Sequence, residues 1–179
     1  MRIIGGRNKG KKLKSFDGDA IRPTSDRARE SLFNILAPRI LGCDFLDLCS
    51  GTGAVGIEAI SRGANVVTFV DSSKDSAKIA EFNLKSIGND TRVVLSDAKK
   101  FTLQTAKKYD VIFFDPPYAY PDFEDIMKAV KDRKLLKDDG LFVYEHKSDK
   151  SSIEIDGFIL KDTRKYGIAV FDFYIEGEL

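Results

Sequence analysis

The residues with the clearest chemical meaning lie in the segment 113–120, which reads FFDPPYAY. An apolar run ends here in a carboxylate, two prolines and a tyrosine, whereas a simple turn more often uses Gly, Asn or a single Pro. Pro117 has no N–H and restricts Pro116 to an extended conformation, so the Pro116 carbonyl is held in one direction. The Asp115 carboxylate and this carbonyl are therefore two acceptors that can take both N–H bonds of one amino group.

Two such acceptors suit methyl transfer to an amino group on a heteroaromatic ring. That nitrogen is a poor nucleophile because its lone pair is delocalised, and two hydrogen bonds can rotate and pyramidalise it toward a sulfonium methyl group. The Tyr118 ring offers a stacking platform worth about 1–3 kcal/mol for a flat base. The motif predicts that Asp115, Pro116, Pro117 and Tyr118 are the catalytic residues.

A glycine-rich loop, DLCSGTGAVG over residues 47–56, is the second chemical signal. Its three glycines match G-x-G-x-x-G between a strand and a helix, and Asp71 closes the next strand twenty residues after Gly51. Glycines at these positions let the backbone approach a ligand closely, and the acid can accept hydrogen bonds from ribose hydroxyls. This geometry fits either a dinucleotide or S-adenosylmethionine.

Asp47 distinguishes these two ligands. It precedes the first glycine by four residues, where a carboxylate would repel a pyrophosphate but would attract the ammonium group of a methionyl moiety. After the third strand, Asp97 adds an acceptor for an adenine amino group. Three acids at successive strand ends favour a cationic, ribose-bearing cofactor, because ligands of such sheets bind at the carboxyl ends of the strands.

Alternating strands and helices must position these groups. Dense apolar runs predict buried parallel strands, and the segments between them are long enough for crossover helices, which together indicate an α/β, Rossmann-like doubly wound sheet. The predicted strands are 45–49, 66–71, 92–95, 111–115 and 141–145, and the predicted helices are 54–62, 74–87, 98–107 and 123–134.

The two ends of the chain depart from this alternation. Residues 158–166 and 168–175 predict an antiparallel hairpin that completes a seven-stranded, mostly parallel sheet. Residues 2–16 predict a short basic β-hairpin, and residues 24–37 an amphipathic helix with Thr24 or Ser25 as its N-cap. We expect one domain over residues 1–179, with an N-terminal extension (1–39) and a catalytic core (40–179).

The composition narrows the class of protein. A chain of 179 residues with 42% hydrophobic and 32% charged residues is typical of one soluble globular domain. Two cysteines and one histidine suggest neither a disulfide framework nor a zinc site, so we expect no metal and a reducing cytoplasm. No apolar run approaches the ~20 residues of a membrane span, and the first residues lack the apolar region of a secretion signal.

The net charge of +1 hides an asymmetry, because residues 1–39 carry ten Lys or Arg and only four Asp or Glu. Such a basic segment can neutralise phosphates of a polyanion, or can simply be a solvated lysine-rich arm. The segment has no aromatic residue before Phe16, which favours contacts with a nucleic-acid backbone over base reading. Its candidate phosphate ligands are Arg2, Arg7, Lys9, Lys11, Lys12 and Lys14.

Taken together, these motifs make the sequence recognisable. DLCSGTG, the acids at Asp71 and Asp97, and DPPY resemble class I S-adenosylmethionine-dependent methyltransferases of exocyclic amino groups. RIIGGRNKGKKL, IRPTSDRARESLFNIL and TRKYGIAVFDFY are similar to the RsmD family of bacteria, over essentially the whole chain. The resemblance implies methylation of guanine N2, at position 966 of 16S rRNA, with S-adenosylhomocysteine as product.

The resemblance also implies roles for individual residues. Asp115 and Pro116 would hold the guanine amino group while Tyr118 packs against the base. The cofactor residues would be Asp47, Ser50, Gly51 and Gly53 for the methionyl part, Asp71 for the ribose, and Asp97 and Ala98 for the adenine, with Ser72 as a further cofactor-binding residue. Arg22, Thr24 and Arg27 would lie over the mouth of the site, although Arg27 could equally pair with Asp26 or Glu30.

Other functions remain as competing hypotheses. A DNA amino-methyltransferase would share DPPY, an NAD-dependent oxidoreductase would share the glycine loop, and a non-catalytic RNA-binding module would share the fold. His146, the only histidine, is expected to orient a neighbouring group or to lie on the surface, since the chemistry needs no imidazole. We expect a monomer whose partner is 16S rRNA, the small ribosomal subunit or its assembly intermediate, and no membrane.

Overall fold

The computed structural model describes residues 1–16, 24–117, 120–148 and 153–177. Within these residues seven strands form one sheet in the order β3-β2-β1-β4-β5-β7-β6. The first five strands run parallel and β7 pairs antiparallel with β5 and β6, which confirms the predicted fold class. The strands are β1 (Asp44–Leu48), β2 (Val66–Asp71), β3 (Val94–Leu95), β4 (Tyr109–Phe114), β5 (Leu136–Lys147), β6 (Phe158–Tyr166) and β7 (Ala169–Glu176).

Helices cover both faces of the sheet, as its two-sided hydrophobic strands require. Among the described residues, none of them combines the length and apolarity that would carry it across a lipid bilayer. The helices are α1 (Asp26–Ile40), α2 (Ala54–Ser61), α3 (Lys74–Ser86), α4 (Ala98–Gln104) and α5 (Phe123–Asp132).

Alternate residues of the strands divide the core into two layers. Phe45 and Val111 face α1, α2 and α3, whereas Leu46 and Ile112 face α4 and α5. All four side chains are fully buried. Burial on both sides fixes the register of the parallel strands, and therefore fixes which residues emerge together at the carboxyl edge.

Most elements begin or end at other residues than predicted, as β5, β3 and α1 illustrate. Strand β5 begins at Leu136, which pairs with Tyr109, and the pairing with β4 resumes at Leu141 after the irregular stretch 137–140. Strand β3 is reduced to two residues that lie at the edge of the sheet. Helix α1 continues through Pro38 to Ile40; a proline near the end of a helix removes a single backbone hydrogen bond.

The basic segment 1–16, which we call the N-terminal arm, is held on the core by buried polar groups. Its predicted hairpin is reduced to one antiparallel bridge between Arg2 and Lys12. The fully buried Glu58 accepts hydrogen bonds from the backbone N–H of Ile4 and of Gly5, both at 2.8 Å. The arm is therefore a docked part of the molecule and its basic side chains project from a fixed backbone.

Candidate active site

The candidate site lies at the carboxyl edge of the parallel strands. Backbone hydrogen bonds join each strand end to its neighbour, from Ser50 N–H to Val70 O at 2.9 Å and from Ser96 N–H to Asp71 O at 3.0 Å. The Asp115 N–H completes the series by donating to Leu48 O at 3.3 Å. The edge is consequently a connected backbone frame, which limits the movement of the acids placed on it.

The glycine loop adopts conformations that other residues would resist. Gly51 and Gly53 have positive φ angles of 53° and 77°, and Gly53 is the N-cap of α2. A Cβ on Gly56 would lie 2.3 Å from the Phe69 ring, so this glycine allows the helix to pack closely against the sheet. A Cβ on Gly51 would meet no atom within 4 Å, which leaves open space beside the loop.

Asp47 is almost fully buried beneath this loop, with 1% of its surface exposed. One of its carboxylate oxygens accepts the Gly56 N–H at 2.8 Å. Burial raises the pKa of Asp47 to about 7, and the Gly56 hydrogen bond only partly opposes this effect. A cationic ligand group at this position would favour the ionised carboxylate.

The other two predicted cofactor acids are already hydrogen-bonded within the protein. Asp71 accepts the backbone N–H of Gly51 at 2.7 Å and that of Ser73 at 2.8 Å, so it also shapes the loop. Asp97 is the N-cap of α4 and accepts the hydroxyl of Tyr120 at 3.1 Å. Sequence reasoning missed Tyr120, although it belongs to the quoted FFDPPYAY segment, because its contact with Asp97 joins two separate loops.

Two small cavities lie along this part of the edge. One, of about 190 Å³, contains Asp71, Ser72, Asp97 and Ala98 in its lining, together with Tyr120. The other, of about 80 Å³, lies against Asp47, Ser50, Gly51 and Asp115. Each predicted cofactor residue except Gly53 thus lines one of these two cavities. Gly53 lies in the glycine loop, at the N-cap of α2.

The lining of these cavities fits the predicted cofactor. The hydroxyl oxygen of Ser50 is buried and has no hydrogen-bond partner among the described residues, so a polar ligand would satisfy it. Acids that accept N–H and O–H donors surround both cavities, while Lys and Arg are absent from the described residues lining them. Such a lining suits a cationic ligand with ribose hydroxyls and disfavours a pyrophosphate.

Asp115 follows β4 and lies between the cofactor cavity of about 80 Å³ and a larger cavity, since it lines both. Its side chain is partly buried, and no described residue donates a hydrogen bond to its carboxylate. Burial raises the pKa of Asp115 well above its ordinary value, and the negative charges of Glu145 and Asp47 raise it further. Within the described part of the chain, the carboxylate is therefore an acceptor without a donor.

The larger cavity, which we call the base cavity, has a volume of about 440 Å³ and extends from Asp115 toward β5 and β7. Its lining combines the N-terminal turn of α1, the end of β5 and the turn between β6 and β7. The lining residues with polar or charged side chains are Thr24, Ser25, Arg27, Asp115, Glu145, His146, Lys147, Lys165 and Tyr166.

Glu145 is the functional candidate that sequence reasoning overlooked. The pairing of Phe114 with Tyr144 places Glu145 beside Asp115, since each is the next residue on its strand. Glu145 is 9% exposed, and burial raises its pKa to about 7. Its Oε2 atom accepts the Thr24 hydroxyl at 2.6 Å. No local pattern marks this acid, because its position depends on the register between two strands.

His146 is buried in the structure, with 6% of its surface exposed, so the alternative of a surface residue was wrong. Its Nε2 atom lies 3.0 Å from Asp172 Oδ2 and its Nδ1 atom 2.9 Å from the Lys147 carbonyl oxygen. The ring also stacks on Tyr144. These contacts fix the end of β5 and thereby the backbone that carries Glu145.

Ser25 is the N-cap of α1, which decides between the two predicted capping residues. Arg27 lies in the lining of the base cavity, and Asp26 pairs instead with Arg2 and Arg29. Two predicted site residues, Arg22 and Tyr118, lie outside the described residues.

The basic side chains of the N-terminal arm are mostly exposed to solvent. Arg7, Lys9 and Lys12 have no ion pair with any described residue, so their charges are available to a polyanion. Lys11 donates to the Ser86 carbonyl, and Arg2 lies 3.7 Å from Asp26. The arm therefore presents a positive surface. Three further basic residues, Arg27, Lys147 and Lys165, lie in the lining of the base cavity.

Known proteins match the chain over nearly its whole length. The family model described as "Conserved hypothetical protein 95" matches residues 1–175. Ribosomal RNA small subunit methyltransferase D of Escherichia coli (strain K12) is 37% identical over 146 residues, which cover 81% of this chain and 74% of that protein. The protein of the same name from Haemophilus influenzae is 32% identical over 179 residues, covering 97% and 93%.

A solved structure agrees with these matches. The Escherichia coli protein yhhF is 33% identical and superimposes with a TM-score of 0.88, covering 99% of this chain and 98% of that chain. Fold, motifs and identity therefore point to one group of proteins. The chain belongs to the conserved hypothetical protein 95 family, which is the RsmD family.

Proposed function

We propose that the protein transfers a methyl group from S-adenosylmethionine to the exocyclic N2 amino group of a guanine in 16S rRNA of the small ribosomal subunit, at position 966. One observation carries the proposal. Asp115, an acceptor with no donor among the described residues, lies between the cofactor cavity of about 80 Å³ and the base cavity. An amino group that enters from the base cavity would thus reach it beside the methyl donor.

The three acids of the cofactor side would hold S-adenosylmethionine, whose sulfonium supplies an electrophilic methyl group. Asp47 would face the methionyl ammonium, with Ser50, Gly51 and Gly53 around the methionyl part. Asp71 and Ser72 would bind the ribose, and Asp97 and Ala98 the adenine. The volumes and polar linings of the two cavities support this distribution.

Asp115 and Pro116 act on the nucleophile. The carboxylate and the carbonyl each accept one N–H of the guanine amino group, which turns the nitrogen lone pair toward the cofactor cavity. Orientation is the main catalytic effect, and no base is required before transfer because the product ammonium is acidic and loses its proton readily. Burial and the neighbouring acids raise the pKa of Asp115. The hydrogen bonds that the amino group donates would oppose this effect, because they favour the ionised carboxylate.

The substrate class is supported by the relatives, two of which carry the name ribosomal RNA small subunit methyltransferase D. A guanine must leave its stack to reach Asp115, so we propose that the enzyme binds a flipped or loop nucleotide. Tyr118 would pack against that base. Phosphates of the rRNA would bind the N-terminal arm and the mouth of the site through Arg2, Arg7, Lys9, Lys11, Lys12, Arg22 and Arg27.

The test is incubation with labelled S-adenosylmethionine and three acceptors: under-methylated small subunits, naked 16S rRNA and duplex DNA. We expect label on guanine N2 at a single nucleotide of the rRNA, and none on DNA. Label on DNA amino groups would support the alternative of a DNA methyltransferase. Label on another atom of rRNA would retain the enzyme class and overturn the assignment to guanine N2.

A further inference from the structure

Glu145 has a carboxylate oxygen that the protein leaves available at the base cavity. The side chain is more than nine-tenths buried, yet it belongs to the cavity lining. Thr24 donates to Oε2 at 2.6 Å, and no other described residue donates a hydrogen bond to this carboxylate. A buried acceptor is costly when it lacks a donor, so a ligand that donates at Oε1 would be favoured.

The strand order decides which part of a ligand can reach Glu145. The cofactor acids follow β1, β2 and β3, Asp115 follows β4, and Glu145 lies on β5. Neighbouring strands are about 4.8 Å apart, so Glu145 lies one strand beyond Asp115 on the side away from the cofactor. A base whose amino group is held at Asp115 and faces the cofactor must extend toward Glu145.

A ring atom next to the amino-bearing carbon therefore lies within reach of Glu145. In guanine the two such atoms are N1, which carries a hydrogen, and N3, which has a lone pair. In adenine and cytosine the one ring nitrogen next to this carbon has a lone pair. A carboxylate accepts a hydrogen bond from N1–H and repels a lone pair. Glu145 and Asp115 together complement the adjacent N1–H and N2–H donors of guanine.

We propose, on the basis of the function proposed above, that Glu145 accepts the N1–H of the target guanine and so determines that the site methylates guanine. Thr24 assists by occupying Oε2, which leaves Oε1 for the base. Glu145 is thus a specificity-determining residue that reads the base, while Asp115 and Pro116 orient the nitrogen that reacts.

The experiment replaces the mapped target guanine of 16S rRNA by 2,6-diaminopurine, which keeps the N2 amino group and lacks the N1 hydrogen. We expect the unmodified enzyme to prefer guanine by about 100-fold or more in kcat/KM, since a site built to accept a hydrogen bond rejects a ligand lacking the donor. In Glu145→Gln the ratio of kcat/KM for guanine to kcat/KM for diaminopurine should fall below about ten. The reason is that an amide can either donate a hydrogen bond to N1 or accept one from N1–H.

Binding measurements keep the proposal testable if the variant turns over slowly. RNA with guanine and RNA with 2,6-diaminopurine at the target both carry the amino group proposed to bind Asp115. The guanine RNA should bind the unmodified enzyme more tightly, because it also carries N1–H. Glu145→Gln should remove that difference. Glu124→Gln, at an exposed glutamate in the first turn of α5, is the matched control and should retain both preferences.

Two results separate failure of this inference from failure of the proposed function. If the unmodified enzyme methylates guanine N2 but Glu145→Gln, folded and binding S-adenosylhomocysteine normally, keeps the full preference for guanine in both turnover and binding, Glu145 does not read N1–H. If the unmodified enzyme places no methyl group on guanine N2, the proposed function itself is wrong and the role of Glu145 is rejected with it.

Discussion

The two sides of Asp115 differ in how the protein satisfies their carboxylates. On the cofactor side, both oxygens of Asp71 and both oxygens of Asp97 accept hydrogen bonds from described residues. Asp47, also on the cofactor side, accepts one. On the base side, Asp115 accepts no hydrogen bond from a described residue and Glu145 accepts one. The part of the edge at Asp71 and Asp97 is therefore a preformed receptor, whereas the base side presents acceptors that await donors.

This difference supports the distinct functions that we propose for acids with similar positions at strand ends. Internal hydrogen bonds give Asp71 and Asp97 a fixed orientation, which suits the recognition of a ligand by shape. Burial raises the pKa of both Asp115 and Glu145, and the charges of Glu145 and Asp47 raise that of Asp115 further, so each carboxyl gains from a donor brought by the substrate.

Replacing Asp115 should cause the largest loss. Asp115→Ala removes the acceptor that orients the amino group, so we expect methyl transfer to fall by about 1,000-fold or more. Affinity for S-adenosylhomocysteine should stay within about threefold, because Asp115 only borders the cofactor cavity. Single-turnover transfer and calorimetric binding measure the two effects, and a parallel loss of cofactor affinity would contradict the division between the two sides.

Replacing Asp71 should produce the opposite pattern. Asp71→Ala removes the acceptor for the Gly51 and Ser73 backbone N–H groups, so the glycine loop loses its shape along with a proposed ribose contact. We expect affinity for S-adenosylhomocysteine to fall by about 10- to 100-fold. Transfer at saturating S-adenosylmethionine should recover most of the rate. A variant whose rate stays low at saturation would show that Asp71 acts on the reaction itself.

The positive charge of the N-terminal arm should contribute to RNA binding and should not affect cofactor binding. Converting Lys9, Lys11 and Lys12 together to Gln should weaken binding of 16S rRNA severalfold and lower the slope of log K against log salt concentration by about 2. Cofactor binding should be unchanged, since the three side chains are exposed on the outer surface of the arm.

The control for the arm is another triple replacement of exposed lysines by Gln, at Lys108, Lys128 and Lys134. These residues lie just before β4, on α5 and just after α5, and α5 packs in the core layer opposite the one that the arm joins. We expect the control to keep the salt slope of the unmodified protein. An equal change of slope in both variants would mean that RNA responds to net charge, and that the arm is not a phosphate clamp.

Much of the fold could be predicted because its signals are local. Dense runs such as residues 66–71 and 111–114 can only be strands buried on both faces, and the glycine loop marks the first turn from strand to helix. Where a signal depended on neighbours in space, prediction failed. The stretch 137–140 looks like a loop in sequence, yet it belongs to β5, between the pairs that Leu136 and Leu141 make with β4.

The candidate site shows the same limit. Asp47, Asp71, Asp97 and Asp115 could be found because each ends a recognisable apolar run. Glu145 and Tyr120 could not, because their contacts with Thr24 and Asp97 join segments that are far apart in the chain.

The smallest effect concerns Asp47 and the dependence of stability on pH. Its pKa of about 7 in the folded protein exceeds the value of about 4 in an unfolded chain, so the folded state binds more protons between these values. Stability therefore falls as pH rises from about 4 to about 7 and levels off above. The melting temperature of the unmodified protein should therefore fall over this pH range. In Asp47→Asn we expect it to fall by less, with a difference between the two proteins on the order of 5 °C.

Ligand binding should reverse the effect if Asp47 faces a positive charge. A methionyl ammonium favours ionised Asp47, so the rise in melting temperature caused by S-adenosylhomocysteine should increase as pH goes from 5 to about 7.5. The same titration on Asp47→Asn should show a flatter increase. An increase of equal size in the variant would assign the pH dependence to Asp115 and Glu145, and would place the ammonium away from Asp47.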